Sequence, residues 1–168
     1  AIDWALAEAE AVWGCGDWFH LTEEGLRLIL DHPLTHKLKE LAKQKRTKLI
    51  PGNHDIQLYE YTSQFAPITI SRPFVADEIL YCHGHEYDPM TMLPQWWHRS
   101  WGRITRKKTP GVLRGQGVTL TYLIAVESIH SRALLDAKRK GLKGLVMGHT
   151  HLPRELRSPE LPFLVNGG

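Results

Sequence analysis

The fold is decided by a short stretch, PGNHD at residues 51–55, which directly follows the strand-like segment KLI at 48–50. An apolar segment that runs into glycine and a cluster of polar residues is typical of a buried strand ending in a loop. Three other segments end in the same way, with CGD at 15–17, HGH at 83–85 and GHTH at 148–151. Because helical stretches separate these strands, the pattern predicts an α/β fold that binds its ligand beyond the carboxyl ends of the strands.

The remaining elements are predicted from propensity and from helix-breaking residues. Strands are expected at 11–15, 48–50, 68–70, 74–82, 144–147 and 161–165. A helix is expected from Thr22 to about Lys45, with a break near Pro33 because proline cannot continue a helix. Further helices are expected at 1–10, 56–65, 94–106 and 117–139.

The polar residues at the four strand ends form a mixed set of oxygen and nitrogen donors. They are Asp17, Asn53, His54, His83, His149 and His151. Such a set suits Mn, Fe, Zn or Co better than Ca, which takes oxygen ligands, or a structural zinc site built from thiolates. A single histidine near a turn is weak evidence for a metal, but four such loops in order predict a transition-metal site.

In this order, GD at 16–17, GNHD at 52–55, HGH at 83–85 and GHTH at 148–151 resemble motifs two to five of the calcineurin-like metallophosphoesterases. The resemblance implies an α/β fold, a β-sandwich flanked by helices, that makes one domain of residues 1–168. It also implies hydrolysis of a phosphoester or pyrophosphate bond by a metal-bound hydroxide. Two divalent transition metal ions would serve this reaction, with Mn favoured over Fe, Zn or Co.

The resemblance further implies a role for each loop residue. Asp17 would bridge both metals, and His151 would bind one of them. The shell of the other metal would be completed by three side chains: Asn53, His83 and His149. His54 would face the substrate phosphate and act as general acid, held by the neighbouring carboxylate of Asp55.

The first motif of that family, Asp-x-His on the first strand, is absent from the sequence. The nearest stretch, DWA at 3–5, does not match it and lies in a predicted helix. Because the missing motif would supply two ligands to the metal that His151 binds, one site is complete and the other is half built. The sequence favours a first strand upstream of Ala1 over a one-metal or inactive relative.

Residues 86–140 are predicted to form a helical cap inserted between the fourth and fifth motifs. From Pro89 to Val126 there is no acidic residue, while six arginines and lysines and three tryptophans occur there. The layout resembles the cap of UDP-2,3-diacylglucosamine diphosphatases, which implies a nucleotide-linked lipid as substrate, Arg99 and Arg103 as its ligands, and peripheral membrane contact. Those enzymes carry other residues where His54 and His85 stand, so a general phosphomonoesterase or phosphodiesterase stays open, and so does a merely solvated helix face.

Composition limits the remaining classes of function. Twenty-one Lys and Arg against 18 Asp and Glu give a net charge of +3, too small for a wholly basic nucleic-acid-binding surface. Two cysteines cannot form a disulfide scaffold, and they favour a reducing, cytoplasmic setting. The other histidines of interest are predicted to be surface or supporting residues: His20, His85, His98 and His130.

Two alternatives to a hydrolase that acts on a small-molecule or lipid-linked phosphoester stay open. The first is a non-catalytic scaffold on the same fold with a degraded metal site. The pair His54 and Asp55 argues against it, because a scaffold does not need a general acid. The second is a nuclease that uses the basic cap, but the sequence holds no recognisable element for reading a duplex.

Overall fold

The chain is described by a computed structural model that covers residues 8–19, 21, 25–91 and 120–167. Within these ranges the chain forms eight strands in two sheets, with helices packed on both. The expected α/β sandwich is therefore confirmed. None of the described helices is long and apolar enough to cross a membrane.

The first sheet holds three parallel strands in the order in which they occur along the chain: β1 (Ala11–Cys15), β2 (Arg46–Ile50) and β3 (Thr69–Ile70). Cys15 pairs with Ile50, so β1 and β2 end at the same level. The loops 16–17 and 51–55 therefore leave the sheet side by side, and this register is what first brings the predicted site together.

Two helices connect β1 to β2, namely α1 (Leu26–Leu30) and α2 (Pro33–Gln44). The predicted break at Pro33 is confirmed, since this residue opens α2 at a position where its missing N–H costs nothing. The ring of His32 caps the helix by accepting a hydrogen bond from the N–H of Leu34 at 3.1 Å. The predicted cap at Thr22 lies outside the described residues, and α1 begins after Gly25.

The second sheet has five strands in the order β4-β5-β6-β8-β7. They are β4 (Phe74–Ala76), β5 (Ile79–Tyr81), β6 (Gly144–Met147), β7 (Arg154–Leu156) and β8 (Phe163–Asn166). The three inner strands are parallel, and the two edge strands run antiparallel to their neighbours. A long helix, α3 (Leu120–Arg139), packs on this sheet through Ile129, Ala133 and Ala137.

The two sheets contact each other through aromatic rings. Trp13 of β1 meets Phe74 and Tyr81 edge-on, with centroid distances of 5.2 and 4.6 Å, while the latter two rings stack on each other. Separate apolar clusters fill the space between each sheet and its helices, around Leu38 and Leu49 in the first layer and around Leu145 and Leu164 in the second.

The structure corrects two sequence predictions and adds one strand. Residues 74–82 form a hairpin, not one strand, because Asp77 and Glu78 adopt left-handed conformations with φ of 51° and 60° that suit a two-residue turn. Residues 56–65 form two short 3-10 helices, Ile56–Glu60 and Thr62–Phe65, not one helix. The edge strand β7 was not predicted.

The predicted cap falls mostly outside the described residues. Residues 92–119, with Arg99, Arg103 and the three tryptophans, belong to that part of the chain. The following residues form α3, which lies against the second sheet as part of the helical layer. The cap itself stays a prediction.

Candidate metal centre

The loops at the strand ends approach one another closely because glycine stands at the points of contact. A Cβ at Gly52 would lie 2.2 Å from Oδ1 of Asp17, and a Cβ at Gly16 would lie 2.0 Å from Nδ1 of His83. Any larger residue at either position would push a predicted ligand out of place. The backbone of Asp17 itself is left-handed, with φ of 51°.

The side chain of Asp55 links the loop after β1 to the loop after β2 by hydrogen bonds. Its Oδ2 accepts hydrogen bonds from the backbone N–H groups of Trp18 at 2.8 Å and Phe19 at 3.2 Å, and its Oδ1 accepts one from Gly52 at 2.5 Å. The side chain is fully buried, and this burial raises the pKa of the carboxyl although the three N–H donors act against it. These contacts assign Asp55 a structural role in the loops, and its effect on His54 stays a prediction.

His83 lies at the middle of the cluster with an exposure of 1%. Its Nδ1 lies 2.9 Å from the carbonyl oxygen of Cys15, and because a carbonyl can only accept, Nδ1 carries the hydrogen. Its Nε2 lies 3.2 Å from Oδ2 of Asp17 and 3.2 Å from Oδ1 of Asn53. When the ring is neutral, Nε2 of His83 therefore faces the two oxygen atoms with a lone pair and no hydrogen. A cation bound to all three atoms would remove the repulsion between their lone pairs.

The spacing of these donor atoms fits a metal ion. Ligand bonds of about 2.1 Å place neighbouring ligand atoms about 3.0 to 3.4 Å apart in octahedral or tetrahedral geometry. The two separations of 3.2 Å fall within this range. One ligand atom each from Asp17, His83 and His149 also lies within 4.8 Å of the other two. The donor set thus fits a divalent ion held by oxygen and nitrogen.

Electrostatics at the cluster agree with a site that favours a positive charge. Partial burial raises the pKa of Asp17, but hydrogen bonds from His83 and from the N–H of His54 outweigh it and lower the pKa to about 2. Burial lowers the pKa of His83, yet the bonds to Asp17 and to the Cys15 carbonyl raise it overall.

His149 completes the cluster from the second sheet. Its ring centroid lies 5.0 Å from that of His83, and its backbone is left-handed with φ of 75°. Nε2 of His149 lies 2.9 Å from Oδ2 of Asp88. Burial lowers the pKa of His149 despite the nearby Asp88 carboxylate. Sequence reasoning missed Asp88, whose only signal was an acidic side chain five residues after His83.

A pocket of about 260 Å³ opens beside these donors. Its polar wall includes the donors Asp17, Asn53 and His149 together with His54, Asp88 and His151, and its apolar wall includes Met90, Val126 and Ile129. His54 thus lines the space in which a substrate would lie, as a general acid requires. His151 is exposed, has a left-handed backbone with φ of 49° and lines the same pocket. Of the second metal site that the resemblance implies, the described residues supply only Asp17 and His151, so that site stays half built.

A buried hydrogen-bond network supports the loop that carries His149 and His151. Nδ2 of Asn166 at the end of β8 lies 2.5 Å from Oγ1 of Thr150 and 2.8 Å from Nε2 of His130. The hydroxyl of Tyr122 on α3 donates to the carbonyl of Thr150. His130 was predicted to be a surface or supporting residue, and its exposure of 1% shows that it supports the loop from the core.

The remaining predicted residues divide into two groups. His85 lies at the border of the cluster, with its ring centroid 5.3 Å from that of His83. The others lie outside the described residues: His20, His98, Arg99 and Arg103. Cys15 and Cys82 are free thiols packed in strand ends, and burial raises the pKa of Cys15 to about 11, so neither offers a ready thiolate.

The structure thus brings together Asp17, Asn53, His83 and His149, and their binding of a metal stays a prediction. No curated protein sequence shows significant similarity to the chain. A family model described as calcineurin-like phosphoesterase matches residues 3–153, which include all four motif loops. The match implies divalent metal ions and phosphoester hydrolysis, in agreement with the donor cluster. The chain belongs to the calcineurin-like phosphoesterase family.

Proposed function

We propose that this protein hydrolyses a phosphoester or pyrophosphate bond with the help of divalent metal ions. The observation that carries the proposal is the meeting of three side chains, in which Nε2 of His83 lies 3.2 Å from Oδ2 of Asp17 and 3.2 Å from Oδ1 of Asn53. In the neutral ring, Nε2 has no hydrogen to share with either oxygen. A bound transition metal, Mn in the first place, supplies the Lewis acidity that activates water and neutralises phosphate charge.

The residues of the pocket divide the remaining work. Asp17, Asn53, His83 and His149 hold the ion. His54 lines the pocket beside them and donates a proton to the departing oxygen. Its backbone N–H donates to Oδ1 of Asp17 at 3.0 Å, which ties the position of the acid to that of the metal ligand.

For the substrate we propose a nucleotide-linked lipid with a pyrophosphate bond, bound by Arg99 and Arg103 at the cytoplasmic face of a membrane. Support comes from the basic, tryptophan-rich sequence around them. Guanidinium groups bind phosphate oxygens in pairs, and indole rings offer apolar area to an acyl chain or a base. A smaller phosphomonoester or phosphodiester is the competing substrate, and the experiment below includes it.

Turnover of a chromogenic aryl phosphodiester tests the proposal. The protein is freed of metal with a chelator and then assayed with Mn²⁺, Co²⁺ or Zn²⁺. We expect metal-stimulated turnover that His83→Ala abolishes and that His36→Ala, an exposed histidine on α2, leaves intact. Asp17→Ala should remove activity more completely than His151→Ala, because the resemblance assigns Asp17 to both ions.

The scaffold reading makes the opposite prediction. If Mn²⁺ binds to the wild-type protein but no aryl ester or nucleotide-linked pyrophosphate turns over, the non-catalytic alternative is correct. If Mn²⁺ does not bind at all, the donor cluster has been misread.

A further inference from the structure

Among the described residues that line the pocket, Asp88 is the one carboxylate outside the recognised motif loops. Its Oδ2 lies 2.9 Å from Nε2 of His149, and both side chains are well covered, with exposures of 18% and 11%. An ionised carboxylate only accepts hydrogen bonds, so Nε2 of His149 carries the hydrogen. The ring nitrogen left with a lone pair is therefore Nδ1.

The carboxylate of Asp88 is itself held in place. The backbone N–H of Met90 donates to its Oδ1 at 2.8 Å, which leaves Oδ2 to face His149. The backbone N–H of Thr91 donates to the Asp88 carbonyl at 3.1 Å and closes the same turn. One residue earlier, the hydroxyl of Tyr87 donates to Asp136 on α3 at 2.7 Å. The segment is thus fixed to the helical layer before it reaches the pocket.

His83 shows the same device with the opposite nitrogen. There the Cys15 carbonyl takes the Nδ1 hydrogen and leaves Nε2 as the donor. A histidine that binds a metal through one nitrogen commonly gives the hydrogen of the other to an oxygen acceptor, which fixes the tautomer and strengthens the donor. Among the described oxygen atoms, only the carboxylate of Asp88 serves as such an acceptor for the ring of His149.

We propose that Asp88 is a positioning residue that holds His149 in the Nε2–H tautomer and so presents Nδ1 to the metal. This inference rests on the proposed function, since it concerns the ion that the cluster would hold. It adds a residue outside the four motifs to the determinants of metal affinity.

Two measurements on the full chain test the proposal. The first is the tautomer of His149 in the metal-free protein, read from long-range ¹H–¹⁵N NMR at about pH 8, where an ordinary imidazole is neutral. The signal is assigned by its loss in His149→Gln. We expect the Nε2–H form in the wild-type protein, a mixture of tautomers in Asp88→Ala, and a return toward the Nε2–H form in Asp88→Glu.

The second measurement is Mn²⁺ affinity by calorimetry. Loss of such a supporting acceptor weakens metal binding about 10- to 100-fold, and we expect this loss in Asp88→Ala with partial recovery in Asp88→Glu. Asp31→Ala is the matched control, since this exposed aspartate follows α1 and is absent from the pocket lining. It should bind Mn²⁺ as the wild-type protein does.

Two outcomes would overturn the inference. One is an Nδ1–H tautomer in the wild-type protein, or a tautomer that does not respond to Asp88→Ala. The other is an Mn²⁺ affinity that contradicts a supporting role. An unchanged affinity in Asp88→Ala would show that the carboxylate does not matter for the metal. A loss of affinity as large as that in His149→Ala, with the tautomer of His149 unchanged, would make Asp88 a direct ligand. If Mn²⁺ fails to bind the wild-type protein, the proposed function fails, while the tautomer of the metal-free protein still decides the role of Asp88.

Discussion

Replacement of Asn166 by alanine should destabilise the protein and loosen its candidate metal site together. The side chain is 3% exposed and lies between Thr150 and His130, at 2.5 and 2.8 Å from their acceptor atoms. Thr150 stands between His149 and His151, whose φ angles of 75° and 49° are unfavourable for residues other than glycine. Each such conformation costs about 1–3 kcal/mol and persists only where surrounding contacts impose it.

The size of the effect follows from the acceptors that would be left behind. Asn166→Ala leaves the Thr150 hydroxyl and Nε2 of His130 without this donor in the core. A buried polar atom that loses its partner costs about 1–3 kcal/mol, so the variant should lose about 2–6 kcal/mol. Thr150→Val removes one of the two bonds and should lose about half as much. Both losses are large beside the total stability of about 5–15 kcal/mol that is usual for a domain.

Urea denaturation followed by circular dichroism, in the presence of a chelator, measures the folding effect apart from the metal. Gln44→Ala serves as the control, because this exposed amide at the end of α2 should change stability by less than about 0.5 kcal/mol. Mn²⁺ affinity is then measured on Thr150→Val, which should remain folded. An Asn166→Ala variant as stable as the control, or a Thr150→Val variant with unchanged Mn²⁺ affinity, would refute the reasoning.

Three further predictions concern pH, catalysis and specificity. Burial lowers the pKa of His130 below its ordinary 6.5, so its stabilising contribution is complete above that value and is lost as the pH falls below it. His130→Leu should therefore flatten the fall in unfolding free energy between about pH 7 and 5 in chelator, as urea titrations at each pH would show. His54→Ala should keep Mn²⁺ bound in calorimetry but slow ester hydrolysis about 10²- to 10⁴-fold, with a smaller loss for a nitrophenolate leaving group. Joint replacement of Arg99 and Arg103 by alanine should raise the KM for a nucleotide-linked lipid and barely change that for a small aryl phosphate; equal effects, checked against a melting curve, would indicate damage to folding.

The strand ends could be predicted from the sequence because each carries its own local signal. Gly144–Met147 has the predicted bounds, since an apolar run between Gly and the polar GHTH loop leaves little choice of boundary. The hairpin at Asp77 and Glu78 had no such signal, because its turn lacks the Gly or Asn that usually marks a two-residue connection. The strand β7, three residues at a sheet edge, was missed because its short pattern is mainly polar.

The sequence predicted those members of the site that stand in a motif loop, and it missed those that reach the site through other contacts. Asp17 and Asn53 follow strands that pair in one sheet and end at the same level, so their approach follows from the strand order. His83 follows a strand of the second sheet, and the family motif, not the strand register, predicts that it joins them. Asp88 reaches the pocket through a turn that depends on Met90 and Thr91, and no local pattern marks that turn. The network around Asn166 joins residues 36 and 16 positions apart, a separation that periodicity cannot bridge.

The two histidines of the cluster also differ in how their orientation is encoded. The ring of His83 is set by the carbonyl of Cys15, a backbone atom that every residue at that position supplies. The ring of His149 is set by the side chain of Asp88, which a single substitution can remove. Metal affinity can therefore change at position 88 while all four motif loops stay intact. A relative with these motifs but no carboxylate at this place should bind its metal less tightly than this chain does.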